Sequence, residues 1–174
     1  GIEIEAALAF GTGHHGTTRG CLLALDGLAR RRRARKVLDI GTGTGVLAIA
    51  AARRLRVPVV ASDIDRVAVD AARGNARLNR ARTARSFVRA EGPKARAITT
   101  GAPYDLIFAN ILLGPLMRLA GTLAPLAAPG ARIVLSGLLP AHANAALAIY
   151  RARGFALDRR IPLEGWVTLV MKRN

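Results

Sequence analysis

Cysteine is nearly missing from this 174-residue chain, with Cys21 the only one. No internal disulfide can form, and a reducing cytoplasm is the default compartment. Lysine is scarce too: it occurs only at positions 36, 94 and 172, so 24 of the 27 basic residues are Arg. Long hydrophobic runs are also lacking. The apolar stretches near 119–131 and 141–149 are broken by Gly, Pro, His or Asn, which excludes a bilayer-spanning helix in either. The opening "GIEIEAALAF" carries two Glu and no basic segment, so no signal peptide is expected; without an initiator Met it reads as a fragment or a processed chain. Aromatics make up only 4% of the residues. None falls within the basic run "ARRRRARK" (29–36), so that run has no base-stacking platform.

Acidic residues number 11, which leaves a net charge of +16. Alongside abundant Ala, so Arg-rich a composition reads as the coding bias of a GC-rich genome, or as a surface for an anionic partner such as ribosomal RNA. The run at 29–36 reads first as a solvated face. At 51% apolar and 22% charged residues, the chain has the balance of one globular domain with a sizeable core.

Short β-like runs alternate with helical ones. The strand candidates are 36–40, 58–63, 85–90, 104–110, 131–137, 155–161 and 166–172. Helical segments are expected at 15–30, 45–55, 65–79, 114–127 and 141–152, while 91–102 is too broken by Gly and Pro to assign. Such alternation implies parallel strands joined by right-handed crossovers. Only the last two strands lack a helix between them, and "PLEG" (162–165) suits a hairpin, so the final strand should run antiparallel. The expected fold class is α/β: a three-layer sandwich around a seven-stranded, mostly parallel sheet with an antiparallel last strand, Rossmann-like. The expected organisation is a single domain over 1–174. Residues 1–35 form a covering segment and leading helix, and 36–174 form the sheet core.

Two stretches carry Gly-Thr-Gly: "LAFGTGHHGTTRG" (8–20) and "VLDIGTGTGVL" (37–47). The second places Gly41, Gly43 and Gly45 between a strand and a helix, where ligands bind in open α/β sheets. Its spacing is G-x-G-x-G, not the G-x-G-x-x-G of a dinucleotide site. Asp39, two residues earlier, adds negative charge that suits an ammonium or sulfonium ligand better than a pyrophosphate. The N–H groups opening the following helix are expected to be free for an anionic group. Asp63, at the end of the second strand, is placed to accept hydrogen bonds from ribose hydroxyls. Asp65 reads instead as a helix N-cap.

Other residues carry weaker signals. His14 and His15 lack the companions a metal site needs, so no metal is expected; a proton relay through one of them is the lesser reading. Cys21 reads as a buried structural thiol and Trp166 as core or edge packing. Glu91 reads equally as a neighbour of an adenine amino group or as a solvated loop charge.

"LAFGTGHHGTT", "VLDIGTGTGVLAIAA", "SDID", "YDLIFANILLGPL" and "LSGLL", in this order, resemble the bacterial ribosomal protein L eleven methyltransferase family over nearly the whole chain. The resemblance implies S-adenosyl-L-methionine as cofactor. It also implies methyl transfer to amino groups (a lysine side chain, an N-terminal amine or both) of that large-subunit ribosomal protein, in the cytoplasm. It carries over Thr18, Gly41, Gly43, Asp63 and Asn110 as cofactor-binding positions, with Phe10 and the 11–16 loop covering the methionine end. Asn110 is also the expected catalytic residue. In amine methyltransferases, the side-chain oxygen at this place and a backbone carbonyl orient the attacking nitrogen.

Departures from the family pattern are also present. Ala7 stands where Gly is common, Leu113 replaces a more variable residue, and Ile-Leu-Leu follows Asn110 in place of Pro-Pro-aromatic. The family's N-terminal recognition domain is expected to be missing from these residues. The alternatives are a nucleic-acid methyltransferase (ribosomal RNA or tRNA) and a non-catalytic cofactor-binding module.

Overall fold

The computed structural model describes residues 15–31 and 33–174, with the side chain of His15 outside the description. The described residues form seven strands: β1 Val37–Ile40, β2 Val59–Asp63, β3 Ala84–Arg89, β4 Tyr104–Asn110, β5 Ala127–Leu138, β6 Phe155–Leu163 and β7 Trp166–Arg173. The helices are α1 His15–Arg31, α2 Val46–Leu55, α3 Arg66–Leu78, α4 Arg96–Gly101, α5 Leu113–Leu123 and α6 Pro140–Arg151. The sheet order is β3-β2-β1-β4-β5-β7-β6. All neighbours pair in parallel except β7, which is antiparallel to both β5 and β6. The expected three-layer fold is therefore the one observed.

Side-chain chemistry accounts for the layers. β4 and the centre of β5 are buried on both faces, as continuous apolar runs require. Residues from α1, α2 and α3 pack with Val37, Phe108 and Val134 on one face. Residues from α4, α5 and α6 pack with Leu38, Ile107 and Ile133 on the other. The edge strands are polar: β6 exposes the run Ala156–Arg160 and carries Pro162, both of which discourage a further strand from pairing. Glu164 and Gly165 both have positive φ, 52° and 80°, which makes the β6–β7 link a tight two-residue hairpin.

Two expectations shift. The helix expected at 114–127 ends at Leu123, where Pro125 tightens the chain into a 3₁₀ turn over Ala124–Leu126, and β5 begins at Ala127 instead of 131. The unassigned 91–102 contains the six-residue α4, too short to show a helical period. The first Gly-Thr-Gly, Ala7, Phe10, His14 and most of the 11–16 loop lie outside the described residues.

Candidate functional site

The carboxyl ends of β1, β2, β4 and β5 surround a cleft of about 670 Å³, within the range of small-molecule sites. Its floor is the loop 41–45. Gly41 has φ +73°, and a Cβ there would collide with the side chain of Ile111, so only glycine fits. The loop is held from three sides. Gly41 and Thr42 both donate their amides to the Ser62 carbonyl at 2.9 Å. The Gly43 amide donates to Asp63 Oδ2 at 2.9 Å. The buried Asn75 of α3 donates its side-chain amide to the Thr44 carbonyl at 2.9 Å.

Most of the loop's amides are already used within the fold, the Gly45 N–H going to Thr42 at 2.8 Å. Free donors for an anion are left to the first turn of α2, where Val46 and Leu47 line the cleft. A pyrophosphate cradle is therefore not built here.

Asp63 lines the cleft, and each of its oxygens accepts one backbone amide, Gly43 at 2.9 Å and Asp65 at 3.0 Å. A carboxylate oxygen has two lone pairs, so acceptor capacity remains for hydroxyls of a ligand. Asp65 caps α3, its Oδ1 accepting the Val67 amide at 2.9 Å.

Asp39 departs from expectation. It is fully buried behind the loop, where Oδ2 accepts the Thr42 hydroxyl at 2.8 Å and the Ala48 amide also faces the carboxylate. Burial pushes its carboxyl up to about 7; the Thr42 hydroxyl opposes the rise, and the nearby Asp63 charge adds to it. Near neutrality Asp39 is thus only partly charged, and it acts on the cleft through the loop.

Asn110 ends β4 opposite Ser136 and lines the cleft, half-buried. Next to it, Gly137 has φ +76°. A Cβ built there would sit 2.7 Å from the Ile111 carbonyl oxygen and 3.6 Å from Asn110 Oδ1. Gly41 and Gly137 therefore hold Ile111 closely from two sides. Leu112, 63% exposed, and Ile64, 61% exposed, form apolar lips of the cleft.

Thr18 reaches the cleft from α1 together with the buried Thr17, whose carbonyl accepts the Ser136 hydroxyl at 3.2 Å. Glu91 lies on the exposed rim. Cys21 is buried, and burial pushes its thiol up to about 12, an inert structural group. Of the two readings of Trp166 the edge one holds: it lines the cleft and packs against Gly16 at the start of α1, not in the core. Its place next to the hairpin was the available signal, since that turn returns the chain to the carboxyl edge of the sheet. Among the described residues, no cluster of His, Cys, Asp and Glu is placed to hold a metal ion.

A seven-stranded sheet with one antiparallel strand, a glycine loop after β1 and an acid ending β2 defines a Rossmann-like methyltransferase fold. A methyltransferase from Pyrococcus furiosus shares that fold, with a TM-score of 0.75 at 18% identity, covering 98% of this chain and 87% of its own.

The chain belongs to the ribosomal protein L11 methyltransferase (PrmA) family, whose sequence profile matches residues 1–174. It is similar to the ribosomal protein L11 methyltransferase of Rhodopseudomonas palustris, 54% identical over 174 residues, which is all of this chain and 59% of the relative. The solved ribosomal protein L11 methylase from Lactobacillus delbrueckii subsp. bulgaricus superposes with a TM-score of 0.82 at 28% identity, covering 99% of this chain and 85% of its own. The chain thus spans about three-fifths of the curated relatives it matches.

Proposed function

We propose that this chain is the catalytic domain of an S-adenosyl-L-methionine-dependent methyltransferase. Its substrates are amino groups, lysine side chains or an N-terminal amine, of ribosomal protein L11 in the cytoplasm. The observation that carries the reading is the pairing of Asp63 at the end of β2 with Asn110 at the end of β4 across one cleft. Membership of the family supports it. In this reading residues 1–174 act as one domain, with 1–35 covering the cofactor and 36–174 supplying the sheet core.

The cleft suits the cofactor on chemical grounds. Asp63 would take the ribose hydroxyls with its remaining lone pairs, and Ile64 would cover the adenine. Thr18 and the Gly41–Gly43 loop would hold the amino-acid end. When bound, the cofactor supplies a methyl group on a sulfonium sulfur and leaves as the neutral thioether.

The residues at the end of β4 act on the acceptor. A lysine amine, with a pKa of ~10.4 in water, must give its proton to solvent water before it can attack. The apolar lip at Leu112 disfavours the ammonium form. The Asn110 side-chain oxygen and the Ile111 carbonyl would accept the amine's N–H groups and so orient its lone pair for the transfer. Asn110 cannot serve as a base, so its contribution is alignment.

A radiolabelled methylation assay offering purified ribosomal protein L11, ribosomal RNA or neither tests this reading. Label is expected in the protein alone, and label in RNA, or in nothing, sinks it. Asn110→Ala should lower turnover about 10²-fold, the scale of a misplaced nucleophile, and Asn110→Asp should fall less because it can still accept the amine. An Ala variant working at the parent rate would reduce Asn110 to a strand-end residue.

A further inference from the structure

The positive charge of this chain is concentrated at one end. α1, α2 and α3 pack on the same face of the sheet, and each leads into a parallel strand. Their C-terminal ends therefore meet at the edge of the sheet opposite the cleft. Arg33 and Arg35 follow α1, Arg53 and Arg56 close α2, and Arg80 and Arg82 follow α3; all six are exposed. The acids at this edge are already engaged. Asp26 pairs with Arg30 at 3.1 Å and Arg54 at 3.7 Å. Asp105 accepts the main-chain amides of Arg35 and Lys36 at 2.8 and 3.1 Å. Asp63, Asp65 and Glu91, by contrast, line the cleft at the other end.

Helix dipoles favour cations in a last turn, which accounts for Arg53, Arg54 and Arg77. They do not account for Arg56 and Arg80, which lie beyond their helices in the left-handed region, at φ 57° and 52°. Glycine or asparagine is the usual choice at such a position, because a larger side chain is strained there. Arginine stands at both, at a backbone cost that Glu164 of the β6–β7 hairpin, at φ 52°, also bears.

We infer that this edge docks the phosphodiester backbone of double-helical RNA. Arginine rather than lysine dominates it, and the planar guanidinium matches a pair of phosphate oxygens. With neighbouring helices 8–10 Å apart, the three ends extend over about 20 Å, enough to follow several phosphates. No aromatic side chain lies in 29–36, 53–57 or 77–83 to stack on a base, so contacts go to the backbone and recognition is by shape. Among the described residues, Leu78 is the one exposed large hydrophobic on these three helix ends, too little for insertion into a membrane. The choice of RNA over DNA rests on the proposed reading, whose substrate belongs to an RNA–protein particle.

Fluorescence anisotropy of a labelled RNA hairpin titrated with the full chain over a salt series tests the inference. Parallel arms use a DNA duplex of the same sequence and anionic phospholipid vesicles. Two quadruple variants are compared: Arg33→Gln, Arg35→Gln, Arg53→Gln and Arg56→Gln against Arg66→Gln, Lys94→Gln, Arg96→Gln and Arg160→Gln. The first should bind RNA at least tenfold more weakly and lower the log–log salt slope by roughly three to four, near one per lost phosphate contact. The second should change affinity by less than about threefold, because non-specific attraction alone would respond equally to both. Equal weakening by the two variants would reduce the effect to net charge and overturn the inference. So would DNA binding as tight as RNA, or a preference for vesicles. Thermal melting confirms that each variant folds. The binding readout requires no methylation, so the inference and the enzymatic reading can fail separately.

Discussion

The Gly43 amide donates to the Asp63 carboxylate across the gap between β1 and β2, at 2.9 Å. The residue proposed to grip the ribose thus also holds the loop beneath it. Asp63→Ala should therefore weaken S-adenosylhomocysteine binding by roughly 1–3 kcal/mol, the loss of hydrogen bonds to a charged acceptor. Asp63→Asn keeps one acceptor oxygen and should weaken it less. Calorimetry decides, and unchanged affinity in the Ala variant removes Asp63 from the site.

Gly137 should matter for activity beyond its backbone angle. Gly137→Ala places a methyl group against the Ile111 carbonyl and beside Asn110. Turnover should fall at least tenfold while S-adenosylhomocysteine affinity stays within about threefold, since alignment of the acceptor is what is disturbed. Gly154→Ala is the control. It has φ +90° and open space around its Cβ, so it carries the strain without the contact. Comparable loss of turnover in both variants would show that strain alone is responsible.

Asp39 should leave a signature in stability against pH. Its folded-state pKa, about 7, lies above the unfolded value of 3.8. Between those values the folded state binds more protons than the unfolded one, so this group's contribution falls as pH rises and levels off above about 7. Asp39→Asn removes the titration. The melting temperature of the variant relative to the parent should therefore be higher at pH 8 than at pH 5. A difference that is flat, or that shrinks with pH, contradicts this assignment.

Trp166 is the only tryptophan in the chain, and it lines the cleft. Its emission should shift or quench on titration with S-adenosylhomocysteine and stay unchanged with NAD. A silent response to the first, or a saturable response to the second, contradicts the proposed site.

The inner strands were legible because they are mostly apolar runs bounded by turn residues, and β4 falls at 104–110 as its pattern predicts. What the pattern could not carry was long-range. α4 has six residues and no period, and the early start of β5 depends on Tyr104 pairing with Ala127. In the site, local signals placed Gly41, Asp63 and Asn110 together at one cleft. The two demands on Asp63, the burial of Asp39 and the approach of Trp166 to Gly16 arise from residues distant in sequence. A single sequence does not display such contacts.

The position of β7 between β5 and β6 affects the order of assembly during synthesis. β6 leaves the ribosome before the strand that must separate it from β5, and among the described strands it pairs with β7 alone. As the nascent chain emerges, five parallel strands and their helices can condense while β6 waits unpaired. The edge closes only when β7 inserts, which also brings Trp166 to the cleft. Vectorial folding therefore builds the glycine loop and the ends of β2 and β4 early, and completes the mouth of the site last.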